Sequence, residues 1–442
     1  MPLRDEPCQG NWLRHSGIDT GGNFQGSAPQ LQSLYIGSSL DFSHDFSAGT
    51  AFSIHEDFLC DTERLQSVQL TNCKISWDSR LLTGLTCLTL EDSLKANSSI
   101  IQVLHALQRM PALTDLRLRD SIPNDSEGPT NYPVVDLPCI RVLHISSGAG
   151  TLITVLRHIT FPRSAILNLT CKENQSTQID FSKFLSFLAT NFLSSLVIRS
   201  LSLKDLEDAH THGLEFYLWT TTIIHNCFPS SMSSAQAQLQ LALTWPSSQP
   251  HNRVKTLTRA LGAMSLAFLT QLQISNFDYI DSQMWVKTFG KLPLLERVCV
   301  LSYAPRLFLE ALVYKTKAAE KSKAAYRNVF FPKLLYINLN GTDFDGTILG
   351  SISLDMLLDY LMERCERNAE VQVLRLDDCY NISFDDVERL KEIVVDVIWD
   401  GVEQEVSSQH DSEEDYYDDD DGSSLGSFQP LGYDYDDFSS SL

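Results

Sequence analysis

The stretch Pro111-Ala-Leu113-Thr-Asp-Leu116-Arg-Leu118 indicates the fold of this 442-residue chain. Its second and third leucines are two residues apart, so they point to the same side of a short strand while the residues between them face the other side. The pattern Leu-x-x-Leu-x-Leu recurs at intervals of roughly 20 to 45 residues, as in repeat architectures. Further copies begin at Leu31, Leu65, Leu85, Ile140, Leu193, Leu269, Leu295, Leu334 and Val371, and weaker ones lie around Leu167 and Leu241.

A strand with one apolar side cannot bury that side alone, so we expect neighbouring copies to stack. Apolar residues at helical spacing lie between the strands, in stripes that begin at Ile100, Phe181 and Leu354. The sequence therefore predicts an α/β leucine-rich-repeat solenoid, a horseshoe with a parallel concave sheet and helices on its outer face.

The last predicted helix follows Ser383, which forms a capping-box pattern with Asp386 three residues later. We expect this helix to close the solenoid and to bury one face made of Val387, Leu390, Val394, Val397 and Ile398. The segment from Pro305 to Arg327 predicts a longer helix whose basic residues, from Lys315 onward, are solvated; an acidic-partner site is the alternative.

Composition divides the chain into three parts. Residues 1–29 are rich in Gly, Pro and Ser and predict a loose lead-in, and residues 30–402 carry the repeats. Residues 403–442 hold 13 of the 56 acidic residues and no Lys or Arg, so they predict a disordered acidic tail.

The formal net charge of -22 argues against nucleic acid as the partner, because phosphates require a basic surface. No apolar run predicts a signal peptide or a membrane span, so we expect an intracellular protein, cytoplasmic or nuclear, and no membrane partner. The ten cysteines form no Cys-x-x-Cys pair and predict reduced thiols, with Cys73 and Cys379 buried after their strands.

Motifs for an enzyme are missing. The chain has no phosphate-binding loop, nucleophile elbow, zinc helix or dinucleotide fingerprint, so we expect a protein that is not an enzyme and needs no cofactor. One cluster resembles a metal site, Glu207-Asp208-Ala-His210-Thr-His212. Because it lacks a third ligand, we interpret it as a polar loop that enters a helix near Leu214.

The strand positions that face away from the core are the candidate site. Such positions line the concave sheet of a horseshoe, where these folds commonly bind proteins. Five arginines against two acids give the set a basic lean, although any exposed strand face is polar. The set is Asp115, Arg117, Arg119, His144, Asn168, Arg199, Gln271, Gln273, Arg297, Tyr336, Asn338, Arg375 and Asp377.

Two passages, Arg64 to Leu85 and Leu104 to Leu113, resemble the F-box-like leucine-rich-repeat family of mushroom-forming fungi. The closing Leu374-Arg-Leu-Asp-Asp-Cys379-Tyr-Asn-Ile382 is similar to the cysteine-containing repeats of F-box proteins in general. The resemblance implies substrate recognition for a ubiquitin ligase, in which an N-terminal F-box docks onto the Skp adaptor of a cullin complex while the repeats select the substrate.

No Leu-Pro-x-Glu start and no space for three helices precede Leu31, so an F-box is not visible. Two interpretations follow. Either an upstream F-box completes a ligase subunit, or the chain is a stand-alone interaction scaffold that does not bind the Skp adaptor. In both cases we expect a protein partner of unknown identity and a monomeric chain.

Overall fold

The parallel strands of the main sheet repeat a local hydrogen-bond arrangement that follows the sequence pattern. The residue before a strand accepts two N–H groups from the start of the next one: Thr86 O accepts from Thr114 N at 2.7 Å and from Asp115 N at 3.2 Å. Gln66 and Thr270 do the same at their own strands. This fixes each strand in the same register against its neighbour.

The structure is a computed structural model. It describes residues 12–13, 28–37, 52–54, 58–59, 62–93, 98–123, 131–173, 180–222, 237–249, 251–277, 279–301, 305–314, 329–345 and 351–404. Residues 405–442 of the predicted tail, the basic part of the Pro305 to Arg327 segment and most of the lead-in lie outside these residues.

The described residues contain nineteen strands and eight α-helices. The strands are β1 Trp12–Leu13, β2 Ser33–Gly37, β3 Phe52–Ser53, β4 Ser67–Thr71, β5 Cys73–Lys74, β6 Cys87–Glu91, β7 Asp115–Arg119, β8 Val135–Asp136, β9 Val142–Ser147, β10 Ile159–Thr160, β11 Ile166–Lys172, β12 Ser200–Glu207, β13 Thr211–Trp219, β14 Leu239–Pro246, β15 Gln271–Ser275, β16 Arg297–Leu301, β17 Tyr336–Asn340, β18 Val373–Asp377 and β19 Asp396–Trp399. The helices are α1 Ile100–Gln108, α2 Ala149–His158, α3 Ser182–Asn191, α4 Arg253–Gly262, α5 Ser282–Thr288, α6 Arg306–Leu312, α7 Leu354–Glu366 and α8 Phe384–Lys391.

One mostly parallel sheet dominates the fold. Fifteen strands follow the order β1-β2-β4-β6-β7-β9-β11-β14-β13-β12-β15-β16-β17-β18-β19, and β8–β10 and β3–β5 form two small pairs. The sheet does not close on itself, since β1 and β19 are its two ends. The prediction of an α/β fold with a large parallel sheet is therefore confirmed.

The core lies on one side of this sheet. Leu116 and Leu118 are fully buried, as are Leu88 and Leu90 on the preceding repeat. They join one hydrophobic cluster with Leu104 and the other apolar residues of the helices. The stripes predicted at Ile100, Phe181 and Leu354 correspond to α1, α3 and α7, and α2 packs against both α1 and α3.

Several strands end with a shared backbone turn. Asn72, Asp92, Asp120 and Asp378 each stand two residues after the last core leucine and adopt positive φ angles of 48° to 56°, a region that Asn and Asp tolerate better than most residues. The next residue is small and buried. Cys73 Sγ, for example, lies 3.7 Å from Ile36 O and 3.3 Å from Thr71 O.

The predicted burial of Cys73 and Cys379 is confirmed. Burial raises the pKa of Cys73 to about 11 and that of Cys379 to about 12. Both thiols are free, and they are protonated near neutral pH, so they act as packing groups rather than nucleophiles.

Two predicted elements have wrong boundaries in the sequence. The copy placed at Leu193, Leu196 and Ile198 is shifted by five residues, because Leu193–Ser195 is a short 3-10 turn and the strand β12 buries Leu201 and Leu203 instead. The last helix ends at Lys391, so Val394, Val397 and Ile398 are not on it; they belong to a further strand, β19, and its approach.

A third correction concerns the middle of the sheet. The helix expected near Leu214 is a strand, β13, which pairs antiparallel with both β12 and β14. The strand β14 also leaves the chain order, because it lies between β11 and β13. This hairpin insertion places one antiparallel strand in the parallel sheet.

Candidate functional site

The side of the sheet away from the core presents a continuous set of in-register residues, which we call the polar face. Its central register row crosses β2 to β19, and each member lies opposite its neighbour on the next strand. The row is Tyr35, Gln69, Thr89, Arg117, His144, Asn168, Gln240, Tyr217, Ser202, Gln273, Cys299, Asn338, Arg375 and Ile398.

Twelve of the thirteen predicted site residues lie on this face. The central row holds Arg117, His144, Asn168, Gln273, Asn338 and Arg375. The row at the strand starts holds Asp115, Gln271, Arg297 and Tyr336, and the row at the strand ends holds Arg119 and Asp377. Arg199 is the exception, because it precedes β12, whose polar-face residues are Ser200, Ser202 and Lys204.

The predicted basic lean is largely neutralised. Arg119 Nη1 lies 3.4 Å from Glu91 Oε1, and Arg375 Nε lies 2.6 Å from Asp377 Oδ2. Arg297 stands over the ring of its register neighbour Tyr336 at 5.3 Å. Arg117 is exposed and makes no ion pair with the described part of the chain. The face is therefore mixed in charge rather than uniformly basic.

The two halves of the face differ in burial. Arg117 and Arg119 are exposed and His144 and Asn168 half-buried, whereas Gln273 and Asn338 in the other half are buried. Asn338 Nδ2 donates to Asp377 Oδ2 at 3.1 Å. The acceptor oxygens Gln273 Oε1 and Asn338 Oδ1 have no hydrogen-bond partner in the described structure.

The contribution of β13 to the polar face was not predicted from the sequence. Tyr217 Oη donates to Glu215 Oε2 at 2.9 Å and accepts from Gln240 Nε2 at 3.2 Å, and its ring stacks on Trp219 with centroids 6.1 Å apart. Burial and the neighbouring Glu215 raise the pKa of the Tyr217 phenol. The signal was available as strict alternation of Leu214, Phe216 and Leu218, which is typical of a strand.

The metal-like cluster has another role in the structure. Glu207 and His212 lie opposite each other in the β12–β13 hairpin, and Arg253 of α4 stands between them and Asp205. Arg253 Nη1 lies 2.9 Å from Asp205 Oδ2, and its Nη2 lies 3.3 Å from Glu207 Oε1 and 2.9 Å from His212 Nδ1. A guanidinium thus occupies the centre of the cluster, and no metal-binding group of three was found within the described ranges.

The opposite, helical side carries a cavity of about 510 Å³ between α2 and α3. It is open to solvent and lined by Ile153, Arg157, Ser182, Lys183, Ser186 and Phe187. Arg157 stands over the Phe187 ring at 5.9 Å. Lys183 thus lies on the helical side of the molecule, away from the polar face.

No family model matches the chain, and no curated protein matches it either. Among the described helices, none combines the length and the apolar character needed to span a bilayer.

Proposed function

We propose that this chain is a leucine-rich-repeat solenoid that acts as a protein-interaction module rather than an enzyme. Support for the solenoid comes from strands that follow chain order over most of the sheet, with one hydrogen-bond arrangement repeated at their starts. Support for the module comes from the polar face, which spreads its charged and aromatic groups over many strands.

The length of this face is the observation on which the proposal depends. Arg117 on β7 and Arg297 on β16 are seven strands apart in the sheet order, or about 34 Å along the sheet at ~4.8 Å per strand. A small molecule cannot contact both, whereas a folded or extended protein segment can. Interfaces of this kind combine aromatic groups and Arg with a polar surround, as Tyr217, Tyr336 and the arginines do here.

The family resemblance extends the proposal to substrate recognition for a ubiquitin ligase of the F-box type. That extension rests on the sequence passages that resemble the family and on nothing else, which makes it an argument by analogy. The alternative is a stand-alone scaffold with the same binding surface. Monomeric state and a cytoplasmic or nuclear location stay predictions in both cases.

Comparative affinity purification tests the proposal. Three tagged versions of the full chain are expressed in cells of the organism that encodes it. They are the wild type, the double variant Arg117→Glu with Arg297→Glu, and the variant Lys183→Glu on the helical side. We expect a defined set of proteins to be lost from the double variant and kept by Lys183→Glu, with circular dichroism showing that all three are folded. Equal protein sets from the three chains would contradict a binding role for the polar face.

The same experiment separates the two versions. Skp adaptor and cullin that co-purify with all three chains support the ligase version, because an adaptor would not dock through the polar face. Because the ligase version places the F-box upstream of Met1, this comparison uses the protein tagged at its C-terminal end in its own gene. The absence of adaptor and cullin from that sample supports the stand-alone scaffold.

A further inference from the structure

Arg117 is an exposed cation that forms no ion pair with a carboxylate among the residues that the structure describes. Arg117 lies opposite Thr89 on one side and His144 on the other, in the central register row. The nearby acids are engaged elsewhere: Glu91 pairs with Arg119 at 3.4 Å, and Asp120 lies 2.5 Å from Lys172 Nζ.

A buried hydroxyl accompanies this cation. Ser146 is 4% exposed, and its Oγ has no hydrogen-bond partner in the described structure. Strand alternation puts it on the polar face two residues after His144, between Arg119 on β7 and Thr170 on β11. Arg117 lies diagonally across from Ser146, because it stands opposite His144 on the neighbouring strand. Buried polar groups are almost always paired, so a buried hydroxyl and a guanidinium that both lack a partner among the described residues point to a missing acceptor.

The charged groups around His144 favour an anionic acceptor. On one side, β7 brings Arg117, Arg119 and Asp115, and Asp115 Oδ2 accepts from Thr114 Oγ1 at 3.0 Å. On the other side, β11 brings Ile166, Asn168 and Thr170, none of which is titratable. Burial first, and then Arg119 and Arg117, lower the pKa of His144 to about 4.

We propose that Arg117, His144 and Ser146 bind a phosphoryl group carried by a side chain of the protein partner. The inference rests on the proposed function, because it names the chemistry that the polar face would recognise. The planar guanidinium of Arg117 donates to two oxygens, Ser146 Oγ donates to a third, and Asn168 offers an amide N–H from the adjacent strand. A tetrahedral dianion uses donors from several strands at once, whereas a planar carboxylate uses fewer of them.

The direct test follows the imidazole signals of His144 by NMR in the full chain. Sulfate is the first probe, because it is a tetrahedral dianion that keeps its charge between pH 4 and 7; chloride at equal ionic strength is the reference. A bound dianion favours protonated His144, so we expect its pKa to rise by about one unit or more in sulfate. Phosphoserine at pH 7 should shift the same signals.

Matched variants make the result specific. Arg117→Gln should abolish the sulfate response and Ser146→Ala should weaken sulfate binding several-fold, while Arg297→Gln, seven strands away on the same face, should leave it unchanged. No response of His144 in the wild type, or an equal response in Arg117→Gln and Arg297→Gln, would overturn the site.

Phosphatase treatment of the lysate separates this inference from the proposed function. If both hold, partners that depend on Arg117 are lost after the treatment. Partners that survive phosphatase but are lost by Arg117→Gln would overturn the phosphoryl assignment while leaving the interaction function intact.

Discussion

A single buried arginine shows how the core holds a charged group. Arg364 on α7 is fully buried, and its two Nη groups donate to Phe330 O and Phe331 O at 3.1 Å each. Burial, which is the main cause, lowers the pKa of Arg364 to about 10. Its guanidinium therefore satisfies two main-chain carbonyls at a point where Phe331 takes a positive φ of 54°.

Arg364→Met should lower the free energy of unfolding by about 2–4 kcal/mol, because the two carbonyls lose their charged donors while buried. Chemical denaturation measures the change. Arg389→Met is the control: Arg389 is an exposed arginine whose pairs with Asp355 and Asp386 lie at the surface, and it should change stability little. Equal losses in the two variants would refute a structural role specific to Arg364.

His144 should give the protein a defined pH dependence. Its folded pKa of about 4 lies below the ordinary value of 6.5, so between these pH values the unfolded chain binds more protons. The stability from this residue is therefore complete above about pH 6.5 and is lost as the pH falls toward 4.

His144→Gln should reduce the stability lost between pH 7 and pH 4.5 by about 1–2 kcal/mol, allowing for partial solvent screening. The measurement is the free energy of unfolding of both proteins at the two pH values. Burial raises the pKa of Asp205 to about 6, so this residue makes stability rise as the pH falls, opposite to His144. Its contribution is the same in both proteins and cancels in the difference. An unchanged pH dependence would contradict the burial of a neutral imidazole.

The sequence predicted those strands whose pattern is local and unambiguous. The prediction failed where two overlapping segments both fit the Leu-x-x-Leu-x-Leu pattern. Leu193-x-x-Leu196-x-Ile198 and Ile198-x-x-Leu201-x-Leu203 both fit the repeat, and only the pairing of β12 with β15, more than sixty residues away, selects the second frame. Similarly, Val394 and Val397 are three residues apart, a spacing that fits both one face of a helix and the first two positions of the repeat. Trp399 occupies the third position of the repeat.

Alanine substitutions test the corrected frame. Leu203→Ala should destabilise the protein by about 2–5 kcal/mol, because it leaves a cavity at a fully buried strand position. Leu196→Ala should cost clearly less, since Leu196 is half-buried and lies before the strand. Thermal and denaturant unfolding of both variants gives the comparison, and a larger loss for Leu196→Ala would restore the original frame.

The antiparallel strand β13 shows the limit of pattern reading at this scale. Its alternation was visible, but its place in the sheet depends on β14 crossing to the far side of the hairpin, which is a long-range choice. The same is true of the candidate site. The residues of the polar face could be predicted from alternation, whereas Glu215, Tyr217 and Trp219 could not be placed without the sheet order.

The last described residues, 403 and 404, are held by hydrogen bonds to the turn before α8 and to its first residue. Asn381 N–H donates to Gln404 O at 2.8 Å, and Phe384 N–H donates to Glu403 Oε1 at 2.9 Å. A truncation should therefore follow Gln404 rather than Val402, so that these bonds are kept.

Residues 405–442 carry no Lys or Arg and few aliphatic side chains, so their composition predicts that they add little to folding stability. A chain that ends at Gln404 should unfold within a few degrees of the full chain in differential scanning calorimetry. A much lower midpoint would show that these residues stabilise the fold.

If a protein partner binds the polar face, site-specific photo-cross-linking will capture it there. A photoreactive side chain is placed at Thr89 or Arg297 on the polar face and at Lys183 or Lys255 on the helical side, in the full chain inside cells. We expect a partner to be cross-linked from Thr89 and Arg297 and not from the two lysine positions. Cross-links from Lys183 and Lys255 without any from Thr89 or Arg297 would contradict it.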